Sequence, residues 1–275
     1  MNTKFAVGFV IYQPTKAFTE RLKLLSGVEH QIYLYDNSPI DGKAREIART
    51  AKNICYLTCG KNVGLGIGIS ALCAQAYYDS QPALLFFDQD TVFDHRTLEF
   101  IGDFYEKNSG LFAQYSAVVF NGENIDQQHP ANDSLLRDVL LARSSGSLFI
   151  LENVKACNWH NENYFVDCVD YEFCLRSKRA GFKIAECAVT PGFDHQSEQP
   201  DQKFCLFGRT LMLRRYPAAR VCDTFGASIR LIVAAIKCAE LWFAFIIVRS
   251  LSIYAAAQLL ARALLALNKF NKPGG

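Results

Sequence analysis

Charge is scarce in this chain. Asp, Glu, Lys and Arg make up 20% of its 275 residues, against 50% hydrophobic and 13% aromatic residues. That excludes global disorder, because disordered segments are those too polar to bury a core. Acids are scarcest toward the C-terminus: from Lys203 onward there are eleven Lys and Arg but only Asp223 and Glu240, a net of +9, against a net of −7 for the 202 residues before it. A basic stretch that is also apolar points to an anionic membrane surface or an acidic partner rather than to nucleic acid. The ten cysteines contain no CxxC pair. A disulfide framework and a zinc site are therefore not expected, and the cysteines read as reduced core residues of a cytosolic protein. Met1-Asn2-Thr3-Lys4 leads straight into a strand-like run, so no signal peptide is expected. Long charge-free apolar runs are missing too. Arg230, Lys237, Glu240, Arg249 and Arg262 interrupt residues 229–267, which predicts an in-plane amphipathic helical hairpin rather than a spanning helix, a helical interface with a second copy being the other reading.

What is present alternates. Apolar runs at 5–12, 31–35, 54–58 and 83–87 predict buried strands, each closed by polar or small residues, and helical patterns lie at 15–25, 41–51 and about 68–79. The order βαβαβαβ predicts an α/β chain with a doubly wound, mostly parallel sheet. Further strands are expected at 116–120 and 147–151, followed by a strand-like start near 163 running into a helix that Gly181 closes. The expected division is a catalytic domain, 1–202, and a basic, apolar helical tail, 203–275. Ligands of such sheets bind at the carboxyl ends of the strands, which here carry Gln13-Pro14, Asp36-Asn37-Ser38, Asn62 with its glycines, and Asp88-Gln89-Asp90.

Two constellations suggest chemistry. Asp88 and Asp90, two residues apart after an apolar strand, can place one carboxylate on a divalent cation and the other on a ribose or sugar hydroxyl; an isolated pair of this kind is also a common solvated turn. In Tyr164–Arg176, Asp167, Asp170 and Glu172 stand among apolar residues, where acids are costly unless paired or used. The bland alternative makes Asp170 a helix cap with Glu172 in the first turn. Asn62-Val-Gly64-Leu-Gly66-Ile-Gly68 lacks the glycine at Ile69 that a GxGxxG fingerprint needs, which disfavours a dehydrogenase; its glycines either admit a nucleotide or let a helix pack closely. His195 is a candidate ligand, though a lone loop histidine is usually neither ligand nor base.

The pieces FVIYQP (9–14), YDNS (35–38), NVGLG (62–66), FFDQDT (86–91), SGSLF (145–149), YFVDCVDYEFCLR (164–176) and DH (194–195) together resemble glycosyltransferase family 2, the inverting GT-A enzymes, and in particular their bacterial rhamnosyltransferase branch. The resemblance covers residues 4–200. It implies that Asp36 and the Tyr12–Pro14 loop contact the nucleotide base, that Asn62, Gly64 and their neighbours lie beside the nucleotide, and that Asp88, with Gln89 next to it, lies near ribose or donor sugar. It puts Mg²⁺ or Mn²⁺ on Asp90, within reach of His195, and makes Asp170 the general base. Val169 stands where many relatives have Glu, which leaves Asp167 and Glu172 as substitutes for that role. The implied reaction is transfer of L-rhamnose from dTDP-rhamnose to a hydroxyl of a glycan or lipid-linked glycan during synthesis of O-antigen, capsule or another cell-surface polysaccharide, by a cytoplasmic enzyme held at the inner face of the membrane through its tail. A glucosyl- or galactosyltransferase using a UDP-sugar is the second reading. A nucleotidyltransferase lacks its basic glycine-rich loop here, since Gln13-Pro14-Thr15 is not one, and a catalytically silent sugar-nucleotide-binding protein sits poorly with intact Asp88, Asp90 and Asp170.

Overall fold

A computed structural model describes residues 5–39, 42–122, 136–195, 202–206 and 209–270. The side chains of 188–189, 194–195, 202–206, 209–211 and 266–270 lie outside that description. The order of elements is β1 (Ala6–Ile11), α1 (Lys16–Leu25), β2 (Ile32–Asp36), α2 (Lys43–Thr50), β3 (Ile54–Thr58), α3 (Leu65–Tyr78), β4 (Ala83–Asp88), β5 (Thr91–Phe93), α4 (His95–Lys107), α5 (Ser109–Phe112), β6 (Tyr115–Gly122) and β7 (Leu136–Asp138). There follow β8 (Ser147–Ile150), α6 (Leu151–Ala156), α7 (Val169–Arg179), β9 (Lys183–Thr190), β10 (Phe193–His195), β11 (Gln202–Leu206), β12 (Arg209–Leu213), α8 (Ala218–Lys237) and α9 (Leu241–Phe270). The contacts divide the chain into two compact units, Met1–Gln196 and Ser197–Gly275.

The first unit is built on an eight-stranded sheet of order β3-β2-β1-β4-β8-β6-β9-β7. The strands β3, β2, β1 and β4 run parallel. Every residue of β1 and β2 is buried, because helices cover both faces of a parallel sheet. The strand β8 enters antiparallel between β4 and β6, and β9 runs parallel to β6. This insertion brings the Ser-Ser-Gly turn that precedes β8 to the carboxyl end of β4. Beneath that end Phe87 and Phe93 stack at 4.2 Å, and Phe9 lies on Phe93 at 6.1 Å. The 88–91 turn therefore rests on a fixed aromatic floor.

Helix α3 begins at Leu65, three residues earlier than the sequence pattern suggests, so Gly66 and Gly68 are helical. Residues 163–168 form turns rather than a strand, and α7 starts at Val169. Its N-cap is Cys168, in the left-handed region at φ 62° with no side-chain cap bond. Asp170 is thus not a cap but the second helical residue. The helix ends as expected: Gly181 has φ +87°, the Phe182 amide donates to Ser177 O at 3.0 Å and the Gly181 amide to Lys178 O at 3.1 Å, which together satisfy the last carbonyls. Strands β5, β7, β9 and β10 carry no strand signal in the sequence; each is short or charged, with little of the apolar run that marks β1–β4.

In the second unit α8 and α9 pair as a helical hairpin turning at Ala239, φ 59°. Gln258 accepts from the Tyr216 amide at 3.1 Å and donates to Arg214 O at 2.8 Å, while Arg262 bonds Gln258 Oε1 at 2.7 Å and Tyr216 O at 2.9 Å. Arg262 thus interrupts the apolar run as a structural clamp. The stretch Leu241–Leu265 is long and apolar enough to cross a membrane by length and composition. Four of the nine described cysteines are buried, and Cys59 and Cys222 are exposed; all nine are free thiols.

Candidate active site

The parallel register aligns the ends of four strands. Ile11 pairs with Asp36, Asp36 with Thr58, and Val10 with Asp88. Beyond this edge a cleft of about 470 Å³ is lined by Gln13, Pro14, Lys16, Asp36, Ser38 and Lys43, among others. Its walls are tied together. The Gln13 amide donates to Ser38 Oγ at 2.8 Å, which holds Gln13 at φ 46°, an uncommon setting for a residue with a side chain. The Asp36 carboxylate is 2% exposed and accepts from the Ser38 amide and the Tyr56 hydroxyl, each at 2.8 Å. Asp36 therefore shapes the cleft as much as it faces it. Tyr12 is exposed, and its amide donates to Gln89 Oε1 at 3.0 Å, so the Gln89 side chain joins the ends of β1 and β4.

Asn62 Oδ1 accepts the Gly64 amide at 3.0 Å, and the buried Asn37 holds the same loop from beneath, donating to Gly64 O at 3.0 Å and accepting from the Val63 amide at 3.1 Å. The glycines serve close packing. A Cβ on Gly64 would lie 2.5 Å from Phe165 O, one on Gly66 2.5 Å from Tyr164 O, and one on Gly68 2.7 Å from a Val10 methyl. The Leu65 amide also donates to Phe165 O at 2.5 Å. The start of α3 is thereby locked to the loop that leads into α7.

The 88–91 turn is held from two sides. Arg21, on α1, donates to Gln89 O at 2.5 Å and to Thr91 O. Ser145 Oγ accepts the Asp88 amide at 3.0 Å and shares a hydrogen bond with the buried Thr91 Oγ1 at 2.8 Å. Next to Ser145 in the chain, the Ser144 hydroxyl donates to the Asp170 carboxylate. Two consecutive serines thus fix the aspartate at the end of β4 beside the aspartate at the start of α7. Burial, then the charges of Asp170 and Asp90, pushes the Asp88 carboxyl up to about 7, with Arg143 and Ser145 opposing. Burial also raises Asp170, against the pull of Ser144 and Arg143. A carboxylate held above its ordinary range is a stronger base.

The other acids of this stretch differ. Glu172 is 4% exposed, accepts from Asn161 Nδ2 at 2.9 Å and pairs with Arg176 at 2.7 Å. It is committed to anchoring α7 to the 157–161 loop, which removes it as a substitute base. Asp167 acts on Asp170 through its charge. His195 lies in β10, whose register sets it opposite Thr91, next to Asp90 in the chain; its side chain lies outside the described residues.

A family model described as Glycosyl transferase family 2 matches residues 15–162, more than half of the chain. The chain belongs to glycosyl transferase family 2. Among solved structures, S. aureus TarS 1–349 superposes with a TM-score of 0.55 at 14% identity, over 83% of this chain and 64% of that one. The same fragment in complex with UDP-GlcNAc gives 0.54 at 14% identity, over 83% and 65%. The longer S. aureus TarS gives 0.52 at 16%, over 69% of this chain and 36% of that one. The chain thus spans less than two thirds of the length of these structures, and likeness at such identities establishes the GT-A fold. No curated protein matches the sequence.

Asp170 and His195 lie beyond the part of the chain that the family 2 model matches. Asp88 and Asp90 lie within it, and they offer hard oxygen donors on one turn. Among the described residues no three His, Cys, Asp or Glu side chains converge as a metal site. Asp88 and Asp90 alone could supply the one or two carboxylates that a cation such as Mg²⁺ or Mn²⁺ takes from a protein, the rest of its shell being substrate phosphate and water. Arg21, Arg143 and Ser144 are the residues that sequence reasoning did not single out, while Asn37 and Ser145 stand in the pieces at 35–38 and 145–149 without a role of their own.

Proposed function

We propose that this family 2 chain is an inverting glycosyltransferase that moves a sugar from a nucleoside diphosphate donor to the hydroxyl of a glycan acceptor. The observation that carries this reading is the Ser144–Ser145 strap, which sets Asp170 beside Asp88 at the carboxyl edge of the parallel strands. In the proposed reaction the nucleoside lies in the cleft between Gln13 and Lys43, and Asp88 meets ribose or donor sugar. Asp170 takes the proton of the acceptor hydroxyl as its oxygen bonds to the anomeric carbon, while the bond from that carbon to the diphosphate breaks on the opposite face. Mg²⁺ or Mn²⁺, held by Asp90, would offset the negative charge that the leaving diphosphate gains.

On the resemblance of its DQDT and VDYEFCLR pieces, the donor is dTDP-L-rhamnose and the acceptor a lipid-linked glycan of a cell-surface polysaccharide. A glucosyl- or galactosyltransferase using a UDP-sugar is the second reading, its nucleotide shared with the UDP-GlcNAc complex of S. aureus TarS. The proposed setting is the cytoplasmic face of the cell membrane, with the α8–α9 hairpin against the bilayer. The test is calorimetric titration of dTDP-rhamnose and UDP-sugars with Mn²⁺ or EDTA, coupled to a donor-hydrolysis assay. Binding and slow hydrolysis that need the metal and vanish in Asp90→Ala are expected. Full activity in EDTA would refute the metal role, and no binding of any nucleotide sugar would refute the enzyme.

A further inference from the structure

The candidate site is strongly acidic. Asp88 feels the charges of Asp90 and Asp170, and Asp170 that of Asp167, and the proposed reaction brings a diphosphate to this edge. Arg21 contributes a charge near Asp90, but its guanidinium lies behind the turn and is spent on the Gln89 and Thr91 carbonyls. Lys16 and Lys43 line the cleft with Asp36. The cation set among the carboxylates is Arg143. It immediately precedes Ser144, which bonds Asp170, and stands two residues before Ser145, which bonds the Asp88 amide and Thr91. Its position is therefore as fixed at the backbone as theirs: Ser147 Oγ also donates to Arg143 O at 2.9 Å, which closes the turn. Its charge acts on both Asp88 and Asp170. Yet the side chain is exposed and makes no hydrogen bond or ion pair with a described residue.

An arginine attached to a rigid strap, whose charge reaches two carboxylates while its side chain bonds neither, is arranged for an anion that arrives with substrate. A guanidinium offers a planar fork of donors that matches two phosphate oxygens, and such charge-assisted pairs are about twice as strong as neutral hydrogen bonds. We infer that Arg143 is a substrate-contacting residue that grips a phosphoryl group of a bound substrate at this edge of the site. This rests on the glycosyltransferase reading and deepens it. Two sources bring phosphate to this place: the diphosphate of the donor, and the diphosphate through which a lipid-linked acceptor is carried. A grip on the donor would favour the diphosphate over the monophosphate and would steady the leaving group. A grip on the acceptor would select glycans that are still attached to their carrier.

The test compares the whole protein with Arg143→Ala and Arg143→Lys. Titrations with UDP, UMP, dTDP and dTMP in Mg²⁺ read the donor source, and kcat/KM for a glycan on a lipid diphosphate against the same glycan without it reads the acceptor source. Because Arg143 is exposed, the thermal midpoint should not move, so a binding change is not a folding change. If the donor is gripped, Arg143→Ala lowers affinity for UDP or dTDP roughly ten-fold or more and leaves UMP and dTMP within about two-fold, with Arg143→Lys between. If the acceptor is gripped, the nucleotides bind as in the wild type and the preference for the lipid diphosphate acceptor collapses by a similar factor. Either result supports the inference. It is overturned if Arg143→Ala keeps both preferences, or if it weakens mono- and diphosphates alike. Should the wild type bind no nucleoside diphosphate at all, the glycosyltransferase reading itself falls and takes this inference with it.

Discussion

The hydroxyl of Ser144 is hydrogen bonded to the carboxylate of Asp170. The Ser144 backbone bonds the same carboxylate, and the cap of α7, Cys168, makes no side-chain hydrogen bond, so Asp170 is not held as an N-cap. Removing the serine should cost positioning and not donor binding. Ser144→Ala is expected to lower turnover about ten-fold, the scale of one hydrogen bond to a charged group, with nucleotide affinity unchanged. Asp170→Asn should lose about 100-fold or more, since the proton acceptor itself is gone. Single-turnover rates beside nucleotide titrations check both, and an Asp167→Asn variant more crippled than Asp170→Asn would move the base to Asp167.

Gly66 is where the donor side of the site meets the α7 side. A methyl group there would sit 2.5 Å from Tyr164 O and 2.6 Å from Asn161 O, both backbone atoms that cannot swing away. Gly66→Ala should therefore cost about 1–3 kcal/mol through overpacking and lower turnover as well, because the displaced loop leads to Asp170. Gly110→Ala, whose added Cβ would meet nothing within 4 Å, is the control and should leave both quantities unaltered. Thermal melts of the two variants, read side by side, decide the matter.

Much of the first unit is legible in sequence because its strands are buried on both faces and read as unbroken apolar runs closed by Gln13, Asp36 or Asp88. The start of α3 is not, since glycine in a sequence signals a turn as readily as a close approach, and only the position of Tyr164 O distinguishes the two. The candidate site was half visible. Asp88, Asp90 and Asp170 declare themselves as acids beside apolar residues. Arg143 and Ser144 do not, and Ser145 shows only as the start of a family-like piece, because a Ser-Ser-Gly-Ser turn has no assignable role until β8 is seen to enter beside β4. Glu172 misled for the opposite reason: an acid in an apolar stretch is either used or paired, and its partners Arg176 and Asn161 become neighbours only through the helix and the fold.

His160 supplies a test of the core behind the site. It is 2% exposed, stacks on Phe173 at 4.3 Å and meets Phe149 edge-on at 4.9 Å, and neither ring nitrogen has a hydrogen-bond partner among the described residues. Burial, then the charge of Arg176, lowers it from the ordinary 6.5 to about 3. The unfolded chain thus takes up a proton on this residue as pH falls below about 6.5, while the folded chain does not until about 3. Stability must drop across that window. His160→Phe preserves the stacking and removes the proton, so its melting temperature should fall less than that of the wild type between pH 7 and pH 4. Parallel pH profiles would expose an error here.

The tail is the part where the sequence and the family say least, and its exposed surface makes a sharper test than its composition. On α8, Ile229, Val233 and Ile236 form one exposed apolar stripe flanked by Arg230 and Lys237; on α9, Trp242 and Phe245 stack at 5.4 Å and are 67% and 55% exposed. Aromatic side chains at this level with basic residues nearby suit the interface of an anionic bilayer. Arg249, exposed eight residues after Leu241, would be costly inside the hydrocarbon core, which favours adsorption in the plane over a crossing by Leu241–Leu265. The intact chain should sediment with vesicles containing anionic lipid and not with neutral ones. High salt or alkaline carbonate should release it, because screening removes the electrostatic part and no helix is threaded through the bilayer. Trp242→Ser with Phe245→Ser should weaken the association at least ten-fold while nucleotide binding persists. Release by detergent alone would establish a spanning helix, and a tight oligomer that ignores vesicles and dissociates in the double variant would make the same stripe an interface between two copies of the chain.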